Sequence, residues 1–208
     1  MIAVSQKNCK SVYIIVIIQL YIFFEKTEFY KNNNTKTYVY CHIDMSCSAV
    51  VHSVSACACF DTKKIKGIVR FTEDLEKGDV IIDISIRGLS KSSLHGFHVH
   101  TYGDMSEQCD SMCAHFNPYG KSHGGPDSTQ RHVGDLGNIR SDSNGVAEYR
   151  MRDSHIKLRG TKSNIIGRGL IIHADEDDLG KGGFSDSLTT GHAGKRIACA
   201  VIGHARPL

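Results

Sequence analysis

Histidine is unusually abundant in this chain, 12 of 208 residues. Most of these histidines fall between His95 and His204, beside Asp and Gly, a composition that points to metal. In His98-Val99-His100 two imidazoles stand two residues apart on an expected strand, so they project from one face roughly 7 Å apart and can grip a single ion. His95 has the opposite parity and is expected to be hydrogen-bonded within the structure. His115, His123 and His132, with Asp135 in the run His132-Val133-Gly134-Asp135, supply three nitrogen donors and one oxygen. That is the donor set of a closed tetrahedral zinc site with no position left for water, hence a structural one. Far downstream, His173 is followed four residues later by Asp177, and it can complete a copper site with His98, His100 and His115.

The elements that must position these side chains read as strands. Lys66 to Phe71 and Val80 to Ile86 carry β-branched residues, and the second run alternates: Ile82, Ile84 and Ile86 on one face, Asp83 and Ser85 on the other. Further strands are expected at Leu94 to Thr101, Gly167 to His173 and Arg196 to Ile202. Asn144-Gly145 lies between Gly137–Arg140 and Val146–Tyr149 and predicts a tight antiparallel turn, because both residues tolerate positive φ. No segment keeps a helical apolar period for three turns, so the class is an all-β sandwich or barrel. Two long stretches, Tyr102–His132 and Ala174–Lys195, are rich in Gly, Asp, Ser and His. They exceed ordinary connections and are expected to be functional loops ordered by metal.

Net charge is +3, from 25 basic and 22 acidic residues scattered along the chain, which excludes a basic stripe for nucleic acid. Eight cysteines are too few, for this length, to staple a core-poor secreted scaffold. Six of them (Cys9, Cys41, Cys47, Cys57, Cys59 and Cys113) have no evident partner by position, which favours a reducing, cytoplasmic setting. Residues 11–24 form an apolar run after Lys7 and Lys10, the outline of a signal or short anchor. The run is shorter than the roughly 20 residues of a span, contains Gln19 and lacks a cleavage signal. Glu25 to Tyr40 reads as linker or disordered chain. Residues 1–54 are therefore expected to be an extension, or to be absent from a product starting at Met45, and residues 55–208 to be the folded domain. A secreted or membrane-tethered form stays open.

Several strings resemble those of the eukaryotic-type copper-zinc superoxide dismutases. They are Gly96-Phe97-His98-Val99-His100, His115-Phe116-Asn117-Pro118, His123-Gly124-Gly125-Pro126, His132-Val133-Gly134-Asp135-Leu136-Gly137-Asn138, Ile166-Gly167-Arg168 and Asp177-Asp178-Leu179-Gly180-Lys181-Gly182-Gly183. They follow the family's order and spacing over about residues 56 to 206. The resemblance, and not periodicity, implies a Greek-key flattened β-barrel or sandwich of about eight antiparallel strands with two long functional loops. It implies one copper held by His98, His100, His115 and His173, and one zinc held by His115, His123, His132 and Asp135. His115 would bridge the two ions, and Asp177 would accept hydrogen bonds from His98 and His123.

The implied activity is disproportionation of superoxide to dioxygen and hydrogen peroxide, by Cu(II)/Cu(I) cycling with a zinc-linked bridging histidine that also carries a proton. Arg196 would dock the anion, with Asp186 and Thr190 in the steering loop, and Cys109 would pair with Cys199 in a disulfide. Where relatives often carry an acidic pair and a lysine, this chain has Ser185, Asp186 and Thr189, and His192 stands where asparagine is common; His192 is read as a loop residue. The resemblance also implies a homodimer through Tyr102, Gly103, Ile166, Gly167 and Ile202, with His204 departing from an aliphatic residue. The alternative is a non-catalytic copper/zinc-binding carrier on the same barrel. Such carriers commonly lose a copper ligand or the arginine, and this chain keeps both.

Overall fold

The computed structural model describes residues 53–206 and, before them, the backbone of a strand pair, β1 (Glu28–Phe29) and β2 (Thr37–Tyr38). In that pair Glu28 lies opposite Tyr38 and Phe29 opposite Thr37, inside the segment expected to be linker. The pair belongs to a first unit, Met1–Ala49; everything below belongs to the second, Val50–Leu208. The apolar run at 11–24 lies outside the described residues. Among the described residues no helix is long and apolar enough to cross a membrane.

The second unit opens with an antiparallel meander of β3 (Ser53–Asp61), β4 (Lys66–Asp74) and β5 (Val80–Arg87). Its alternation is that of a half-buried sheet: Ala56, Ala58 and Phe60, Val69 and Phe71, and Val80, Ile82, Ile84 and Ile86 all point inward and are buried. The chain then passes to a second sheet with β6 (Leu94–His100) and β7 (Asp135–Arg140), and returns to the first with β8 (Val146–Asp153). It crosses again to β9 (Gly169–His173) and β10 (Arg196–Val201), and ends in the two-residue β11 (Gly203–His204). The sheets order as β10-β9-β6-β7 and β11-β3-β4-β5-β8. The pairing of β6 with β9 across the sheet crossings is the Greek-key feature, and the eight longer strands match the expected architecture. Phe71, Phe97, Ile82, Leu136, Ile139 and Ile172 fill the space between the layers. Each such side chain contributes about 1.5–3 kcal/mol of burial.

The turn at Asn144-Gly145 forms, with Gly145 at φ +78° and Asp142 N donating to Val146 O at 2.8 Å. The strands it joins, however, do not pair with each other: β7 pairs with β6, and β8 with β5. Ile139 of β7 and Ala147 of β8 are both buried in the shared core. The turn is thus a corner between sheets, because burying both apolar faces requires the strands to separate. A second correction concerns Ile202, which is 0% exposed and belongs to the core, not to an outer apolar edge; neighbouring Val201 and Tyr102 are the exposed residues there.

The two long loops carry little regular structure, one 3₁₀ turn (Asp110–Met112) and a single helical turn, α1 (Ser187–Thr190). A disulfide between Cys109 and Cys199 pins the first loop to β10. Met112 and Ile171 pack beside it in a small cluster of their own.

Candidate metal centre

Strand β6 delivers His98 and His100 with the parity the sequence implies, both buried. His100 makes an isolated antiparallel bridge with His115, which draws the start of the first loop against β6. His173 ends β9, next to β6 in the sheet. Asp135 starts β7 opposite His98. Four segments distant in sequence therefore converge at one end of the second sheet.

One potential ligand atom each from His98, His100, His115 and His173 lie within 4.8 Å of one another, and so do atoms from His115, His123, His132 and Asp135. His115 belongs to both groups. Three rings of the first group are each oriented by the nitrogen they do not offer. His98 Nε2 is 2.8 Å from Asp177 Oδ2, His100 Nδ1 donates to the Cys113 carbonyl at 2.7 Å, and His173 Nδ1 donates to the Gly194 carbonyl at 3.1 Å. The opposite nitrogens, His98 Nδ1, His100 Nε2 and His173 Nε2, are buried with no hydrogen-bond partner. Orphaned buried nitrogens are costly, and three converging on one point are what copper coordination would satisfy.

In the second group Asp135 Oδ1 lies 2.9 Å from His115 Nδ1, 3.1 Å from His123 Nδ1 and 3.1 Å from His132 Nδ1. These separations are close to the edge, about 3.3 Å, of a tetrahedron built on zinc–ligand bonds near 2.0–2.1 Å. The other oxygen, Oδ2, accepts from the backbone N–H groups of His132 and Gly124 at 2.8 and 3.2 Å, which fixes the carboxylate. Asp177 links the two groups, one oxygen on His98 Nε2 and the other on His123 Nε2, each at 2.8 Å. Gly191, at φ +67°, makes room for this link: a Cβ there would stand 2.1 Å from Asp177 Oδ1.

Protonation follows from burial and neighbours. Burial, reinforced by His115, holds His98 down to about 3, and burial holds His173 down to about 4. His100 and His115 are lowered too, again first by burial. These rings are neutral donors at physiological pH, as metal ligation requires. For His123 burial acts downward, but hydrogen bonds to Asp135 and Asp177 outweigh it and raise the ring to about 9. Burial likewise opposes ionisation of both carboxylates. The surrounding imidazoles overcome it, setting Asp177 at about 2 and Asp135 far below its ordinary range.

Arg196 opens β10 beside His173. Its Nη1 donates to the Cys109 and Asp110 carbonyls at 2.7 and 3.3 Å, and its Nη2 to the Cys113 carbonyl at 2.6 Å.

The family model described as copper/zinc superoxide dismutase (SODC) matches residues 65–202. This chain belongs to that family. The "Superoxide dismutase [Cu-Zn]" of Paramecium bursaria Chlorella virus 1 is 58% identical over 157 residues, 76% of this chain and 82% of that protein. The protein of the same description from Yarrowia lipolytica is 52% identical over 140 residues, covering 67% and 90%. Among solved structures, "Crystal Structure Analysis of the clock protein EA4" superposes with a TM-score of 0.71 at 42% identity, covering 74% of this chain and 96% of that one. The enzyme is a superoxide dismutase, an oxidoreductase with copper and zinc as cofactors. Nothing in these likenesses supports the carrier alternative.

Two groups near the site escaped the sequence reading. Buried Arg131 donates to the Asp135 carbonyl and to Asp153, and its Nη2 lies 2.7 Å from His155 Nδ1. It moors the end of the first loop to β8, and its one signal was its place beside His132. In the second loop His192 Nδ1 is 2.7 Å from Asp186 Oδ1, and its ring stacks on Phe184 with centroids 3.8 Å apart. Asp186 Oδ2 also accepts from Thr190 Oγ1 at 3.0 Å. His192 lies in the loop, and it engages the Asp186 carboxylate.

Proposed function

We propose that His98, His100, His115 and His173 hold the copper, that His115, His123, His132 and Asp135 hold the zinc, and that His115 serves both. The observations that carry this are the buried, unpartnered nitrogens on His98, His100 and His173, each with its other nitrogen already engaged, and the convergence of His115, His123 and His132 on Asp135 Oδ1. Bound copper supplies a one-electron couple that zinc lacks.

The balance is two superoxide anions and two protons to one dioxygen and one hydrogen peroxide. Arg196 docks and orients the anion through its permanent charge and several donors. His115 Nδ1 faces Asp135, so Nε2 is the atom left to face the copper ligands and to hold and release a proton for peroxide. Asp177 keeps the His98 and His123 rings in place. Asp186 and Thr190 shape the charge at the rim, where pairing of Asp186 with His192 mutes the carboxylate's field.

We further infer a homodimer, supported by exposed Tyr102 and Val201 near Gly103 and Gly167, and a cytoplasmic setting, supported by free Cys57, Cys59 and Cys113. Residues 55–208 form the dismutase domain and 1–54 an extension. The test is to measure copper and zinc content together with superoxide decay in the purified protein and in His173→Ala. The parent should carry one of each metal and be active, and the variant should keep zinc and lose both copper and activity. Full metal without activity in the parent would favour a carrier.

A further inference from the structure

Two thiols far from the imidazole cluster in sequence share one face of β3. Ala56, Ala58 and Phe60 point inward with 0–2% exposure, which leaves the alternate residues Cys57 and Cys59 on the outer face. Both are free, Cys57 half-buried and Cys59 exposed. Across the ladder Cys57 faces Arg70 of β4 and Gly203 of β11, and Cys59 faces Ile68. A Cβ at Gly203 would meet nothing within 4 Å, so the space beside Cys57 is open. The two sulfurs sense each other: after burial, the Cys59 thiol is the next cause that raises the Cys57 thiol, and Arg70 acts in the opposite direction.

We propose that Cys57 and Cys59 bind one Cu(I) ion as a two-coordinate thiolate site outside the catalytic centre. Alternate residues on a strand are about 6.6 Å apart at Cα, close to the limit of about 6.8 Å for disulfide-linked pairs. Direct closure is disfavoured, whereas an ion between the sulfurs lengthens the bridge. The groups of three or more ligand-type residues among the described residues include neither cysteine. Two donors are too few for tetrahedral zinc, and soft thiolates select Cu(I) over harder ions. On binding, each thiol gives its proton to solvent, two S–H bonds are replaced by two S–Cu bonds, and no electron changes hands. The resulting unit, two thiolates and one monovalent cation, has a net charge of −1, which Arg70 opposite Cys57 offsets.

The experiment titrates the full chain, its imidazole sites already filled, with Cu(I) under anaerobic conditions against a chromophoric Cu(I) chelator. No thiol reductant is present, so the Cys109–Cys199 disulfide survives. The parent should take up one more equivalent than the Cys57→Ser/Cys59→Ser variant, with a thiolate-to-copper ultraviolet absorption missing from the variant. Cys113→Ser should behave as the parent. Superoxide decay in the double variant should be unchanged, which shows that it folds and separates this site from the dismutase assignment. Equal uptake in parent and double variant, or full uptake by either single serine variant, would overturn the proposal.

Discussion

Arg196 and His100 donate to one acceptor: Arg196 Nη2 lies 2.6 Å, and His100 Nδ1 2.7 Å, from the carbonyl oxygen of Cys113. Arg196, the proposed anion-docking group, and His100, a proposed copper ligand, are therefore positioned by the same atom of the first loop. Replacing Arg196 by Ala should leave metal content intact, because Arg196 is in neither ligand group. It should lower the superoxide rate by roughly ten-fold or more at low salt and flatten its ionic-strength dependence. Pulse radiolysis across a salt series reads both effects.

The residue carrying that carbonyl has an unusual backbone. Cys113 sits at φ 58°, ψ −147°, a region that is essentially glycine's and that costs another residue about 1–3 kcal/mol. Cys113→Gly should raise stability by about 1 kcal/mol with metal binding and rate retained, as measured by urea denaturation and superoxide decay. A loss of stability would mean the loop does not enforce this conformation.

Asp177 reaches both ligand groups, 2.8 Å from His98 on one oxygen and 2.8 Å from His123 on the other. Groups that orient ligands in this way are worth about 10–100-fold in metal affinity. Asp177→Ala should weaken both metals by that order in a chelator competition. An effect on one metal alone would show that the carboxylate does not couple the groups.

Much of this centre was legible from residue order. Period-two alternation places His98 and His100 together and turns His95 away, where its Nδ1 donates to the His173 carbonyl at 2.8 Å. The grouping of His115, His123, His132 and Asp135 was likewise suggested by their donor types, three nitrogens and one oxygen. Contacts between loop residues have no period, so the mooring of Arg131 and the Phe184–His192–Asp186 stack left no pattern to find. Asn144-Gly145 specifies a turn, but local chemistry cannot say whether the flanking strands share a sheet or face each other across a core.

Without metal, stability should peak near neutral pH. His98 at about 3 and His173 at about 4 lie below the ordinary 6.5. As pH falls below 6.5 the unfolded chain takes up protons that the folded one refuses, so their contribution is lost toward pH 4 and below. His123, raised to about 9, acts in the opposite sense: its contribution is complete below 6.5 and is lost as pH rises through 9. Urea midpoints of metal-free protein should decline on both sides of about pH 6.5. A profile that climbs steadily toward pH 5 would contradict these protonation states.

In the proposed centre the single ring of His115 touches two different cations. Anomalous scattering from a crystal of loaded protein, with data at the copper and zinc edges, tests it most directly. Two distinct peaks are expected with the His115 ring between them, copper beside His98, His100 and His173, and zinc beside His123, His132 and Asp135. A single shared peak, or two peaks of which only one contacts His115, would contradict this arrangement.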